Sequence, residues 1–344
     1  MTNKPNHGLR ELAQLAGVSK STASRVISGN GYASPEVKER VLQAAEALRY
    51  KPNAVARAMV TKRTNNLGVI VFREKPPIVS HPLYGKIIDE ILVASEARGY
   101  SVFLKTDREM SLRSTDYLLE QRVDGLILVS RLRKNVIDYV KKFNVPYLMV
   151  NGSTDDPDVI HLVSNDEAGG ARAADYLYGL GHRQFFVIAG PVEHRSHSLR
   201  ITGFTRRLEQ LGLSGQSGAV QMIPSPESSF AYGFKLMEEH FPAFRNQGYT
   251  ALFTTNDMLA LGAMKLLLER GVRIPQEVAV MGYDNIELGS MYSPSLSTAS
   301  VDATGIGRDA VEMLDRLIRG EADLPKLVEY ESQVVIRQST EGRE

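Results

Sequence analysis

The chain has 344 residues, 43% hydrophobic and 24% charged, which suits a soluble globular protein of two or three domains. With no cysteine it has no disulfides, no thiolate zinc sites and no thiol catalysis. A formal charge of +1 hides an asymmetry: residues 1–63 hold eleven Lys and Arg against four Glu, a balance of +7, which leaves −6 on the rest. A basic head on an acidic body is the electrostatic footprint of a domain that meets phosphates.

The first residues, Met1 to His7, are polar and lack the apolar segment of a signal peptide. No apolar run approaches the ~20 residues of a membrane helix, so a cytoplasmic location with no membrane partner is expected. Leu9, Leu12, Ala13 and Ala16 have the spacing of a short helix with one buried face. Gly17 then reads as a left-handed cap, Val18 as a plug for the corner, and Ser19 as the N-cap of a second helix reaching about Ser28. Ala23, Val26 and Ile27 face inward, leaving Lys20, Ser21, Thr22, Ser24 and Arg25 outward. Helix, tight turn, helix with a polar and basic outer face is the DNA-reading helix-turn-helix, although an ordinary αα-hairpin has the same spacing. Ser34-Pro35-Glu36 opens a third helix, whose stripe Val37, Val41, Leu42, Ala45 and Leu48 closes a three-helix core.

Asn53 caps a short helix over residues 53–60, followed by a polar linker, Thr61 to Asn66. Two turns of helix are marginal alone in water, so this one should form only against a dimer mate or DNA. From Leu67 short apolar strands alternate with helices. Strands are expected at 67–72, 101–105, 125–129 and 146–150, with helices at 84–98, 111–122 and 136–143. After Asn165 the pattern restarts: helices 168–180, 197–213, 229–240 and 258–270 alternate with strands 185–189, 219–223, 251–254 and 278–282. Strand 297–301, helix 303–319 and strand 327–337 finish the chain. Such alternation means parallel sheets covered on both faces, and two tandem α/β halves leave a cleft where ligands bind beyond the carboxyl ends of the strands.

Leu12-Ala13, Ala16-Gly17-Val18-Ser19, Thr22, Ser24-Arg25-Val26, Gly31, Val41, Tyr50, Pro52-Asn53-Ala54 and Ala56-Arg57 together closely resemble the lactose-repressor family of bacterial transcription regulators. The resemblance implies an α/β protein with a three-helix helix-turn-helix DNA-binding head and a hinge helix. Two Rossmann-like subdomains of periplasmic-binding-protein type follow. The expected boundaries are a head of 1–62 with hinge helix 53–60, and a body of 63–344. Within the body, an N-subdomain of about 63–163 and 295–324 faces a C-subdomain of about 164–294 and 325–340. A homodimer on a pseudo-palindromic operator is implied, and with no heptads after residue 337 tail tetramerisation is not expected.

In the head, the resemblance assigns base reading to Lys20, Ser21 and Arg25 and phosphate contact to Thr22 and Ser24, beside Ser19. Asn53, Arg57 and Met59 belong to the hinge helix, where Met59 stands at the apolar wedge that the family usually fills with Leu. For the effector the resemblance nominates Leu83, Tyr84, Ser130, His194, Ser196, Arg200, Phe230, Asn256 and Asp284. Other roles stay open: Ser130 as a plain loop residue, Arg200 as a structural ion-pair partner, Asp257 as a helix cap, His182 as a turn residue. Asn165-Asp166 reverses the family's Asp-Asn, and Ser228 stands where an aromatic platform is expected. A sugar or sugar derivative is the expected effector, with a purine or a protein co-repressor as the alternative and no cofactor.

Enzymatic signals are thin. GxxxxGK[ST], HExxH and GxSxG are absent, and Gly305 to Ala310 fits GxGxxA far from any first βα turn. A solute-binding transport protein would share the body but would need a secretory signal and no basic head.

Overall fold

The computed structural model describes residues 8–28, 32–50, 63–72, 80–107, 113–120, 123–130, 134–152, 158–213 and 218–341. The expected hinge helix, with Asn53, Arg57 and Met59, lies outside them. The chain divides into two units, Met1–Thr64 and Asn65–Glu344.

The first unit holds α1 (Leu9–Leu15), α2 (Lys20–Ser28) and α3 (Pro35–Ala47). Each start and stop has a local cause. The Gly8 amide bonds the Glu11 carboxylate at 3.0 Å, and Gly17 turns the chain at φ 65°. Ser19 Oγ accepts the Thr22 amide at 3.1 Å, and Ser34 Oγ accepts that of Val37 at 3.4 Å. Leu12, Ala16, Val41 and Ala44 form the core, with Val18, Val26, Ile27, Val37, Ala45 and Leu48 packed around it. Leu42, expected in that stripe, is exposed. One step past Val41 turns it about 100° off the buried face, and Ala44 takes the inward place.

The second unit contains two six-stranded sheets. The first is built from β1 (Asn66–Phe72), α4 (Pro82–Ala97), β2 (Ser101–Asp107), α5 (Arg113–Glu120), β3 (Gly125–Val129), α6 (Lys134–Lys141), β4 (Tyr147–Val150) and β5 (Ile160–Ser164). The second is built from α7 (Asp166–Gly179), β6 (Phe185–Ala189), α8 (Arg195–Leu208), β7 (Val220–Pro224), α9 (Phe230–Gln247), β8 (Ala251–Thr254), α10 (Asp257–Glu269), β9 (Ala279–Asp284), α11 (Glu287–Met291) and β10 (Ser297–Ser300). The last elements are α12 (Ala303–Ile318), β11 (Leu327–Tyr330) and β12 (Val334–Val335).

The sheet orders are β11-β5-β4-β3-β1-β2 and β12-β10-β9-β8-β6-β7, the same doubly wound sequence twice, parallel throughout except for β12. The central strands β3, β6, β8 and β9 are buried on both faces. Phe185 and Val187 of β6 meet one layer of helices, while Phe186 and Ile188 meet the other. Helix α7 lies so close to α8 that a Cβ on Gly203 would come within 1.9 Å of the Glu167 carbonyl oxygen, which is why glycine stands there.

The crossings between subdomains differ from the expected boundaries. Residues 297–300 pair with β9, so they belong to the second subdomain rather than the first, and within 295–324 it is α12 that returns to pack on α4 and β3 to β5. The expected strand 327–337 is two strands: β11 joins β5 in the first sheet, and β12 joins β10 in the second. Strand β5 was not expected at all. Helix α9 passes through Pro242 to Gln247 instead of stopping near residue 240, because Phe244 beyond the proline is buried in the second core. Helix α8 starts at Arg195 and widens at 209–213 into a π-turn, with Gly212 at φ 91°.

Candidate functional site

In the first unit the outward residues of α2 stand as the helix periodicity requires. Lys20, Ser21, Ser24 and Arg25 are exposed, Thr22 is half-buried, and Ala23 is fully buried beneath them. Ser19 is exposed, but its hydroxyl also holds the helix start, meeting Ser21 Oγ and Thr22 Oγ1 at 2.8 Å each. A cation with short hydroxyls on one helix face can serve phosphates and base edges in a major groove.

In the second unit a recess open to solvent lies between the two sheets at the carboxyl ends of β3, β4, β5 and β6. It is lined by Tyr84, Ser130, Asn151, Gly152, Val163, Asp166, His194, Arg195 and Ser196. Tyr84, Ser130, His194 and Ser196 are therefore brought together as expected. On the first wall, the Tyr84 hydroxyl donates to Ser130 Oγ at 3.3 Å and accepts from Asn151 Nδ2 at 3.4 Å. Ser130 at φ 74° and Asn151 at φ 48° both occupy the left-handed region, which side chains other than Gly enter at a cost met elsewhere in the fold. Gly152 lets the two loops touch, since a Cβ there would stand 2.2 Å from the Ser130 carbonyl oxygen.

Behind the second wall lies a buried charge cluster. Arg200, only 2% exposed, donates through Nε to Asp166 and through Nη1 to Asp284 and the Thr255 carbonyl, all within 2.8 Å. Its guanidinium stacks 3.8 Å from the centroid of the Tyr283 ring. Burial opposes its charge, but the two carboxylates outweigh that and hold it protonated. Burial pushes Asp284 up to about 6 and Asp166 up as well, against the pull of Arg200. Asp257 rises to about 8, through burial and the nearby Asp284.

Five of the nine expected effector residues do not line the recess. Arg200 and Asp284 are committed to the ion-pair cluster. Leu83 is a core residue beside Ile87, because the inward turn of α4 falls on it rather than on the cleft. Phe230 opens α9 and packs against the second core, and Ser228 two residues earlier leaves no aromatic platform. Asn256 caps α10, accepting the Leu259 amide at 3.0 Å, so the cap belongs to Asn256 and not to Asp257. The Asp257 carboxylate instead takes the Ile286 amide at 2.8 Å and the Thr298 hydroxyl at 2.6 Å.

Asn151 and Asp166 were missed as lining residues, although each follows a strand end just as Ser130 does. His197 was missed too. Its Nδ1 meets Thr255 Oγ1 and its Nε2 meets Ser228 Oγ, both at 2.8 Å, tying together the loops after β6, β7 and β8. Burial, with Arg200 beside it, keeps this imidazole well below the usual histidine range and therefore neutral. His182 is buried at a helix end with Nδ1 2.9 Å from Thr250 Oγ1, remote from the lining, as expected of a turn residue.

Residues 8–53 match the model of bacterial regulatory proteins of the lacI family, and residues 174–340 match the periplasmic binding protein-like domain. The lac repressor dimer bound to operator and the anti-inducer ONPF is 27% identical, with a TM-score of 0.84, covering 98% of this chain and 99% of that one. The chain carries a lacI-family head and a periplasmic binding protein-like body. Like its relatives, the chain is a DNA-binding regulator of transcription and not an enzyme. Among those relatives, the transcriptional repressor PurR of Pasteurella multocida is 28% identical over 97% of this chain and 99% of its own. PurR of Haemophilus influenzae is 29% identical over 97% and 98%. The CelR–cellobiose complex is 27% identical, with a TM-score of 0.71, over 98% and 100%. Among the described residues, no helix is long and apolar enough to cross a membrane.

Proposed function

We propose that this chain is a homodimeric repressor of a pseudo-palindromic operator, and that a purine base in the cleft sets its affinity for DNA. One observation carries the choice of effector. The repressors of Pasteurella multocida and Haemophilus influenzae that match it over nearly their whole length are both named PurR, which favours a purine over the sugar expected first. The recess is compatible in chemistry. The Asn151 carboxamide and the Arg195 guanidinium can read ring nitrogens and a carbonyl, and the Tyr84 and His194 rings offer flat faces to a planar heterocycle. In the head, Lys20, Ser21 and Arg25 read bases, Ser19, Thr22 and Ser24 hold phosphates, and Asn53, Arg57 and Met59 serve the hinge. No metal or organic cofactor takes part.

A carbohydrate is the second reading, supported by the CelR–cellobiose complex among the similar structures. Thermal-shift measurements with purine bases, sugars and sugar phosphates, each hit followed by operator titration, separate the two. A purine that raises the melting temperature and changes operator affinity supports the proposal. A sugar that does both while purines do neither replaces it.

A further inference from the structure

Neighbouring strands β7, β6 and β8 each end in a loop, and a single imidazole meets all three loops. His197, the third residue of α8, lies so close to Gly190 that a Cβ there would stand 2.6 Å from its Cε1. Its Nδ1 meets Thr255 Oγ1 after β8, and its Nε2 meets Ser228 Oγ after β7. Thr255 Oγ1 also accepts the Gly190 amide at 2.7 Å, and Asn256 Nδ2 donates to the Ser228 carbonyl at 3.4 Å. The ring of His194, which lines the recess, stands edge-on to the same imidazole with centroids 6.0 Å apart.

The partners decide which ring nitrogen carries the hydrogen. Thr255 is fully buried, and its hydroxyl oxygen already accepts from Gly190. Among the described residues the one acceptor for its own hydrogen is His197 Nδ1. Nδ1 is therefore bare, and Nε2–H donates to Ser228 Oγ. The opposite tautomer strands the Thr255 hydrogen in full burial, at the cost of an unmade hydrogen bond. This one leaves over only the hydrogen of Ser228, which is half-buried, so water can take it. A second proton on the ring meets the same obstacle. It also faces the positive end of α8 and the Arg200 guanidinium, which bonds the Thr255 carbonyl at 2.7 Å. Charge on His194 or His81 acts in the same direction, and the carboxylates beyond, Asp166 and Asp284, are bonded to Arg200.

We propose that His197, as the Nε2–H tautomer, is the positioning residue of the second wall of the recess. By fastening the loops after β6, β7 and β8 to one another, it sets where His194, Arg195 and Ser196, the three residues just before it, face the cleft. His197 does not itself line the recess, so it acts on a bound molecule only through them. That use of the wall rests on the effector reading above, whereas the tautomer and its hold on the loops do not.

The test uses the full-length protein, isotope-labelled at its histidine nitrogens for magnetic resonance. The His197 signals are identified by their shift in Ser228→Ala, which removes the partner of Nε2. They should show a hydrogen on Nε2 and a bare Nδ1 from about pH 7.5 down to about pH 5.5, where a free imidazole of pKa about 6.5 is mostly charged. A hydrogen on Nδ1, or a second proton taken up in that range, overturns the proposal. Two variants then test the hold on the wall. His197→Asn returns an acceptor near the place of Nδ1, whereas His197→Leu fills more of the space with no polar atom. Hydrogen exchange on peptides spanning 190–196 should be about tenfold faster than wild type in His197→Leu, and within about threefold of wild type in His197→Asn, with β3 and β4 unchanged. Equal exchange in the two variants, or the reverse order, overturns the proposal. With adenine, guanine and hypoxanthine as probes, the base that wild type binds should bind His197→Asn at least about threefold more tightly than His197→Leu. Equal or reversed affinities also overturn it. If wild type binds none of the three, the effector reading fails, and the nitrogen signals and the exchange decide this one.

Discussion

Replacing Arg200 by Met removes a charge that two buried carboxylates share, while keeping an unbranched side chain of comparable reach. Asp166 and Asp284 are 5% and 6% exposed, and Arg200 offers each a hydrogen bond of 2.8 Å. Breaking a buried pair from one side costs about 3–5 kcal/mol, and here two anions are left facing one another. Each can escape by binding a proton. Burial already holds Asp284 at about 6, and without Arg200 both carboxyls rise further. Groups whose folded value lies above the unfolded one hold protons that the unfolded chain has released. Their contribution is complete below about 3.8 and is lost as the pH climbs through the folded values. The loss in Arg200→Met should therefore be largest near pH 7.5 and smaller by roughly 1–3 kcal/mol near pH 5.5. Urea unfolding of the body, followed by far-ultraviolet circular dichroism because the chain has no Trp, measures it at both values. A loss below about 1 kcal/mol, or one independent of pH, would refute the assignment of Arg200 as the charge that holds the cluster together.

Asp257→Asn should flatten the pH dependence of stability. With Asp257 at about 8 in the fold, wild type loses stability from pH 6 to 9 relative to the variant, by up to about 1.4 kcal/mol per unit. Parallel melting profiles across that range count against it. Arg25→Ala should weaken operator binding by about 1–3 kcal/mol and relax preference at one base pair per half-site. Equal weakening on every duplex in a mutated-operator set makes Arg25 a phosphate contact instead. Gly203→Ala forces a Cβ onto the backbone of α7, so the body should lose at least about 1–3 kcal/mol in denaturant unfolding. An unchanged midpoint means the two helices slide apart freely.

Local chemistry made much of this legible beforehand. Ser19, Gly17 and Ser34 announce the head because caps and left-handed turns have few substitutes, and both caps form, on the amides of Thr22 and Val37. The alternation of apolar strands and helices announces the doubly wound body. Strand partners are another matter. Val328 and Val334 lie six residues apart, yet they belong to different sheets, and nothing local to either chooses between edges. The recess follows the same division. Tyr84, Ser130, His194 and Ser196 follow strand ends or open helices, and they do meet. Arg200 and Asp284 carry the right chemistry for a ligand, but which face of α8 and β9 is buried depends on neighbours 34 and 84 residues from Arg200. Asp166 shows the reverse: a departure from a familiar motif turned out to be a lining residue.

The most direct measurement is selection of bound duplexes from a random pool by the full-length protein, then titration of the best one against salt with and without purine bases. The predicted outcome is a symmetric sequence bound by a pair of chains. Its affinity falls linearly in log–log against salt, and it shifts by about 5–150-fold when a purine is added. Recovery of no symmetric duplex, or of one whose affinity ignores both salt and every small molecule tried, contradicts a basic head ruled by an acidic body.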